Sequence, residues 1–218
     1  DPLNNWNNLN RSDVDLRGKV YYWVVETQSH WFIGYGFFHP RDWGTTEVIQ
    51  CTAEENVTQL GCHENDMEGA LIAVQRSSES PYGDFLTMET VSHSDILSFK
   101  DYDRSPSSLI SGHFPLCNSR ICDVEFLDGT SHPFVYIEAK THAVTGAVKS
   151  GSRWERNFPG GEGVLYFPTG AGQVPASGDD RQGAYELVDI STLWEQRNDN
   201  EIITKAPKRN LGKFLGDD

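Results

Sequence analysis

The chain reads as a single, mainly all-β domain spanning residues 1–218, and three features carry that expectation. Runs rich in Val, Ile, Tyr, Phe and Trp alternate with clusters of turn-forming residues. Twenty glycines and ten prolines accompany 37% hydrophobic and 11% aromatic content, which suits a globular protein of strands and turns. At 218 residues the chain can bury a proper core, and all-β folds of this size form one domain.

The elements follow in order. Residues 1–18 open with the Asn-rich DPLNNWNNLNRS, which lacks periodicity and reads as an irregular arm pinned by Trp6. KVYYWVVET from Lys19 and WFIGYGFF are strands, with Thr27 to His30 as a hairpin turn of undetermined type. The Gly34-Tyr35-Gly36 step signals a bulge or a close approach of backbone. HPRDWG, from His39 to Gly44, reads as a loop with Arg41 and Asp42 as a local ion pair and Trp43 covering the core. ALIAVQR and FLTMETVSH are strands joined by the turn SSESPYGD, hence antiparallel neighbours, the second ending at His93. SDILSFKD is expected as a single helical turn capped by Ser94.

Beyond a loop over 105–122, two strands flank the Asp128-Gly129 turn signal. Residues 151–183 read as long surface loops around a short strand, VLYF. AYELVD is a strand, followed by a short helix from Ser191 with Leu193 and Trp194 turned inward; residues 205–218 form a loosely ordered tail.

Charge narrows the function. Eighteen Lys and Arg against 32 Asp and Glu give a net charge of −14, which disfavours nucleic acid as a partner. No apolar run has the length of a membrane span and no signal peptide begins at Asp1, so the expectation is a soluble mature or trimmed chain, monomeric, with contact to a membrane surface left open. Four cysteines, paired by proximity as Cys51 with Cys62 and Cys117 with Cys122, suggest two disulfides and a secreted protein; zinc bound by the four is the alternative. Asn56-Val57-Thr58 is a glycosylation acceptor pattern.

The densest chemistry lies in GCHENDMEG, Gly61 to Gly69, at the entrance to the ALIAVQR strand. In extended geometry Asp66 and Glu68 share a face, about 7 Å apart, with His63 three residues upstream. Such a set can hold a divalent cation, calcium or magnesium ahead of manganese or zinc. Two carboxylates buried side by side call for something positive between them. Without metal, the same pair can act as acid and base in glycoside hydrolysis, with His93 and His142 as general bases. A GxSxG elbow, a P-loop and a dinucleotide fingerprint are all absent from the sequence.

GCHENDMEG resembles the GHRHDWE heptad of the NPP1-like necrosis-inducing proteins and the HxGDWE stretch of the related Vps62-type domain. His63, Asp66 and Glu68 match; Asn65 and Met67 depart from it. HPFVYIEAKTHA, His132 to Ala143, is similar to the Vps62-type pattern hPvVYvAkGSHA, which aligns Tyr136 and His142. The resemblance implies an antiparallel β-sandwich of two sheets with loops at one end around a cation, to which the elements above add long loops and one or two short helices. It also implies a divalent cation held by His63, Asp66 and Glu68, with Glu55 or Glu54 as the upstream acidic ligand, and a secreted protein that engages sugar-bearing head groups.

Two functional readings follow. The first is a secreted metal-dependent hydrolase of a glycan or glycolipid, with Asp66, Glu68, His142 and His93 in catalytic roles. The second is a non-enzymatic lectin-like or membrane-active protein that uses the metal to bind sugar head groups, with Trp31, Trp43 or Trp154 as exposed stacking platforms.

Overall fold

In the computed structural model the described residues are 12, 15–42, 63–92, 95–101, 123–127, 129–138, 141–146, 164–174 and 181–194. They form nine strands and one short helix. The strands are β1 (Gly18–Glu26), β2 (His30–Asp42), β3 (His63–Gln75), β4 (Asp84–Ser92), β5 (Asp95–Lys100), β6 (Val135–Ile137), β7 (Val144–Gly146), β8 (Val164–Pro168) and β9 (Arg181–Asp189). The helix, α1, is Ser191–Trp194. A seven-stranded sheet runs β5-β4-β3-β2-β1-β9-β8, and β6 with β7 make a small second sheet. The all-β expectation holds, with two unequal sheets. From β1 to β5 all pairings are antiparallel, whereas β9 runs parallel to β1 and β8 parallel to β9.

The hairpin between β1 and β2 explains why its turn needs no glycine. Thr27 N donates to His30 O at 2.9 Å, and the Thr27 hydroxyl accepts the His30 amide, also at 2.9 Å. A side chain thus closes the turn that a Gly-containing type I′ loop usually makes. Arg76, just beyond β3, reinforces this end: its Nη1 donates to Glu26 Oε1 at 2.6 Å and to Thr27 O at 2.9 Å, and its guanidinium lies over the Trp31 ring.

Register decides what is inside. Trp31, Ile33, Tyr35, Phe37 and His39 of β2 stand opposite Val74, Ile72, Ala70, Glu68 and Asp66 of β3. Directly opposed residues project to the same side, so these ten share the inner face. The core forms there: Ala70, Ile72, Val74, Met88, Leu97, Phe99 and Val124 are buried, with Trp31, Ile33, Tyr35, Phe37, Phe85, Phe126 and Val135 packed on them. Trp31 therefore supports the core rather than offering an exposed platform; Trp43 and Trp154 lie outside the described residues.

Glycines set where aromatic rings lie. Gly34 makes no bulge, since the β2 register runs unbroken from His30 to His39; instead the Trp23 ring lies flat on it, within 2.1 Å of where a Cβ would sit. The irregularity falls between Ala73 and Val74, on the β3–β4 side. The same device docks the second sheet: Phe99 of β5, 2% exposed, packs against Gly146 at the end of β7. Close contact of this kind requires a residue without Cβ.

Two sequence expectations are corrected. SDILSFKD is not a helical turn: residues 95–100 pair with β4 from Ser92↔Asp95 to Thr87↔Lys100. A single isolated turn bears the full cost of helix nucleation, while a sheet edge offers hydrogen bonds and a core for Leu97 and Phe99. HPRDWG is likewise not a loop from its start, because β2 continues through His39 to Asp42. Of the Asp128-Gly129 turn, Asp128 lies outside the described residues; Gly129 has φ 72° and Leu127 N donates to His132 O, and the flanking residues form an isolated bridge, Phe126↔Pro133, rather than full strands. The four cysteines, Asn56 and the segments 1–11 and 205–218 lie outside the described residues. Among the described residues no helix is long and apolar enough to cross a membrane.

Candidate functional site

The inward phase of β3 carries apolar residues at Ala70, Ile72 and Val74, and Asp66 and Glu68 continue that phase toward the start of the strand. Both carboxylates are consequently buried, 6% and 7% exposed. Inward charges violate the pattern that builds the strand, and such violations are expected at functional or strained positions. A buried carboxylate needs hydrogen-bond donors or a cation close by.

Asp66 has an imidazole. His142 Nδ1 lies 3.0 Å from Asp66 Oδ2, joining β3 to the turn between β6 and β7. An ionised carboxylate only accepts, so in the neutral ring the proton belongs on Nδ1, leaving the lone pair on Nε2. The turn is built for this residue. Glu138 N donates to Ala143 O at 3.0 Å, His142 N donates to Glu138 O at 3.1 Å, and the Thr141 hydroxyl donates to Glu138 Oε2.

His142 is also the non-glycine residue with positive φ among those described, at 56°. This left-handed conformation favours glycine, and a side chain held there costs of order 1 kcal/mol. His142→Gly and His142→Ala both remove the ring, so their difference isolates the backbone. We expect the Gly variant to be the more stable by about 1 kcal/mol, the reverse of the usual order in regular structure, where Gly is worse than Ala by roughly that amount. Chemical denaturation of the two variants checks this. An Ala variant as stable as Gly would mean that the turn relaxes out of the left-handed region.

A second ring completes the group. His39 stands opposite Asp66 in the β2–β3 register and stacks on His142, with centroids 3.7 Å apart and planes within 3°. Burial, followed by the positive charge available to His142, pushes the His39 pKa down to about 4, with Asp66 acting in the opposite sense. His39 is therefore neutral at physiological pH. Its Nε2 is buried and has no hydrogen-bond partner among the described residues.

The structure thus brings together Asp66 and His142 from the sequence-derived set, places Glu68 two residues along the same inward face of β3, and adds His39, which sequence reasoning placed in a loop. The signal for His39 was present: the inward residues Trp31, Ile33, Tyr35 and Phe37 extend to His39 at the same two-residue step. His63 is the first residue of β3, but its side chain, with all of Glu55 and His93, lies outside the described set. Tyr136 is half-buried in β6 opposite Thr145, with its phenol pKa raised by burial and then by the charge of Glu138. Among the described side chains, no three of His, Cys, Asp or Glu are grouped so as to hold a metal ion. Asp66 and Glu68 carry hard oxygen donors of the kind calcium and magnesium take, but two carboxylates alone do not make up the roughly six or more oxygen ligands such a cation needs.

No family model and no curated protein matches the chain. Among solved structures it is similar to one described as "Toxin fold for microbial attack and plant defense", at 12% identity and a TM-score of 0.32. It is similar to NLPPya in complex with glucosamine at 13% identity and a TM-score of 0.32, and to the non-toxic HaNLP3 protein at 15% and 0.31. Each match covers 62% of this chain and 48% of the solved chain, so the similarity spans about half the length of those proteins.

Proposed function

We propose that the protein is a secreted, non-enzymatic binder of sugar-bearing head groups, whose site is centred on Asp66, Glu68 and His142 and loaded with a divalent cation. The observation that supports this best is the contact between Asp66 and His142, because it joins the two segments that carry the motif resemblance at one place in the fold. The buried carboxylates of Asp66 and Glu68 would hold the cation, with His63 and Glu55 as further ligands. When bound, the cation offers open coordination positions to vicinal sugar hydroxyls. His142, oriented by Asp66, would present Nε2 as a hydrogen-bond acceptor beside them.

Calorimetric titration of chelator-treated protein with calcium, magnesium, manganese and zinc, followed by glucosamine as a probe, tests the reading. Heat is expected with at least one ion, sugar binding only when that ion is present, and loss of both in Asp66→Asn. The absence of heat and of any thermal shift with all four ions would end it. A hydrolase is the second reading, favoured by the same pair, since a carboxylate-oriented imidazole is how enzymes set a general base. Glycolipid incubated with the loaded protein and followed by mass spectrometry separates the two: a new product assigns catalysis, and unchanged substrate assigns binding.

A further inference from the structure

We propose that His39 is a positioning residue for His142: its flat ring, fixed on β2 opposite Asp66, holds the His142 imidazole in the plane where Nδ1 meets the carboxylate. The consequence is that His142 is kept in one tautomer, with its proton on Nδ1 and its lone pair on Nε2. This deepens the proposed function, because that lone pair is what the site offers to a ligand.

The geometry favours this role over two others. His39 is not a second metal ligand beside His142. A ring nitrogen binds a metal along a lone pair in the ring plane, at about 2.0–2.1 Å for zinc. The two planes are parallel and 3.7 Å apart, so in-plane lone pairs run side by side and do not converge on one ion. The buried Nε2 of His39 has no hydrogen-bond partner among the described residues, so that nitrogen contributes no bond there. What remains is the contact surface of the ring. His142 needs such a surface, because it arrives from a two-stranded sheet on a turn residue at φ 56°. A single hydrogen bond to Asp66 leaves the ring free to rotate about it. The parallel face of His39, carried by a central strand paired on both sides, removes that freedom.

The test compares His39→Phe, which keeps a flat ring, with His39→Leu, which fills similar space without one. Solution NMR of the 15N-labelled chain, without cation or sugar and at a pH well above the ordinary histidine value of about 6.5, reports the imidazole tautomer. His142 is assigned by its loss in His142→Asn, and amide shifts of β4 and β5 verify the fold. Wild type and the Phe variant are expected to show His142 protonated on Nδ1. The Leu variant is expected to move to a mixture or to the Nε2-protonated form. Should the Leu variant fail to fold, His39→Gln replaces it with the same expectation. The proposal is overturned if the variant without a ring keeps the Nδ1 tautomer, or if the Phe variant loses it. Since no ligand enters the measurement, its outcome stands apart from whether the site binds a cation or a sugar.

Discussion

Acidification from about pH 7 to about pH 4 is expected to remove roughly 3 kcal/mol of stability through His39 alone. The ring is held neutral in the fold, with its pKa pushed from the ordinary 6.5 down to about 4 by burial and by His142. Between those values the unfolded chain takes up a proton that the folded chain refuses, so unfolding gains from every step downward in pH. Stability is therefore highest above the unfolded value of 6.5, falls as pH drops through the window, and levels off for this group near 4. A shift of about 2.5 units at about 1.4 kcal/mol per unit gives the magnitude. Urea midpoints measured for wild type and His39→Gln across that range check it. The wild-type curve should fall more steeply, by an amount that closes at low pH; two parallel curves would show that His39 does not carry the effect. Carboxylates elsewhere add their own slope to both proteins, and the comparison subtracts it.

His39 also marks the boundary between what local sequence dictates and what the assembled sheet decides. The strand β3 was legible because its inward residues alternate without interruption from Asp66 to Val74, so the sharing of a face by Asp66 and Glu68 followed from local geometry. The partners of that face were not local. His39 meets Asp66 through the register of β2 on β3, and register depends on which apolar faces must be buried together. The charged and proline-containing HPRD looked like a loop because its local propensities favour one, and pairing with β3 overrode them. The parallel placement of β9 beside β1 and of β8 beside β9 lay equally out of reach, since those strands are separated from β1 by most of the chain. In β5 the failure was of period: six residues with two inward apolar positions fit one helical turn or a short strand, and only the neighbouring β4 decides. The meeting of Asp66 with His142 was anticipated by motif resemblance, not by spacing.

Gly146→Val is expected to disable the site without touching it. A Cβ at Gly146 would lie 2.7 Å from Phe99 Cδ1 and 2.9 Å from Cγ and Cε1, far inside van der Waals contact. Phe99 has no room to yield, being 2% exposed within the cluster of Met88, Leu97 and Val124. Overpacking a closed core costs about 1–3 kcal/mol when the surroundings adjust, and a β-branched residue adjusts least. One adjustment is to lift β7 off the large sheet, where it packs on β4 and β3 as well as on Phe99, because β6 and β7 are three residues each and pair only with one another in their sheet. That movement carries the turn with it, and His142 leaves Asp66 and the face of His39. Stability should fall by about 3 kcal/mol, and the wild-type His142 tautomer should be lost with it. Two controls give the result its meaning. Phe99→Ala combined with Gly146→Val opens the space that the valine needs, so the double variant should be more stable than the sum of the single changes predicts, with a coupling of about 1 kcal/mol or more. Gly129→Val, by contrast, introduces strain at φ 72° where nothing lies within 4 Å, so it should lower stability and leave the His142 signal unchanged. If Gly146→Val retains the His142 tautomer of wild type, the hairpin is held to the sheet by something other than the Phe99 contact, and the position of His142 does not depend on it.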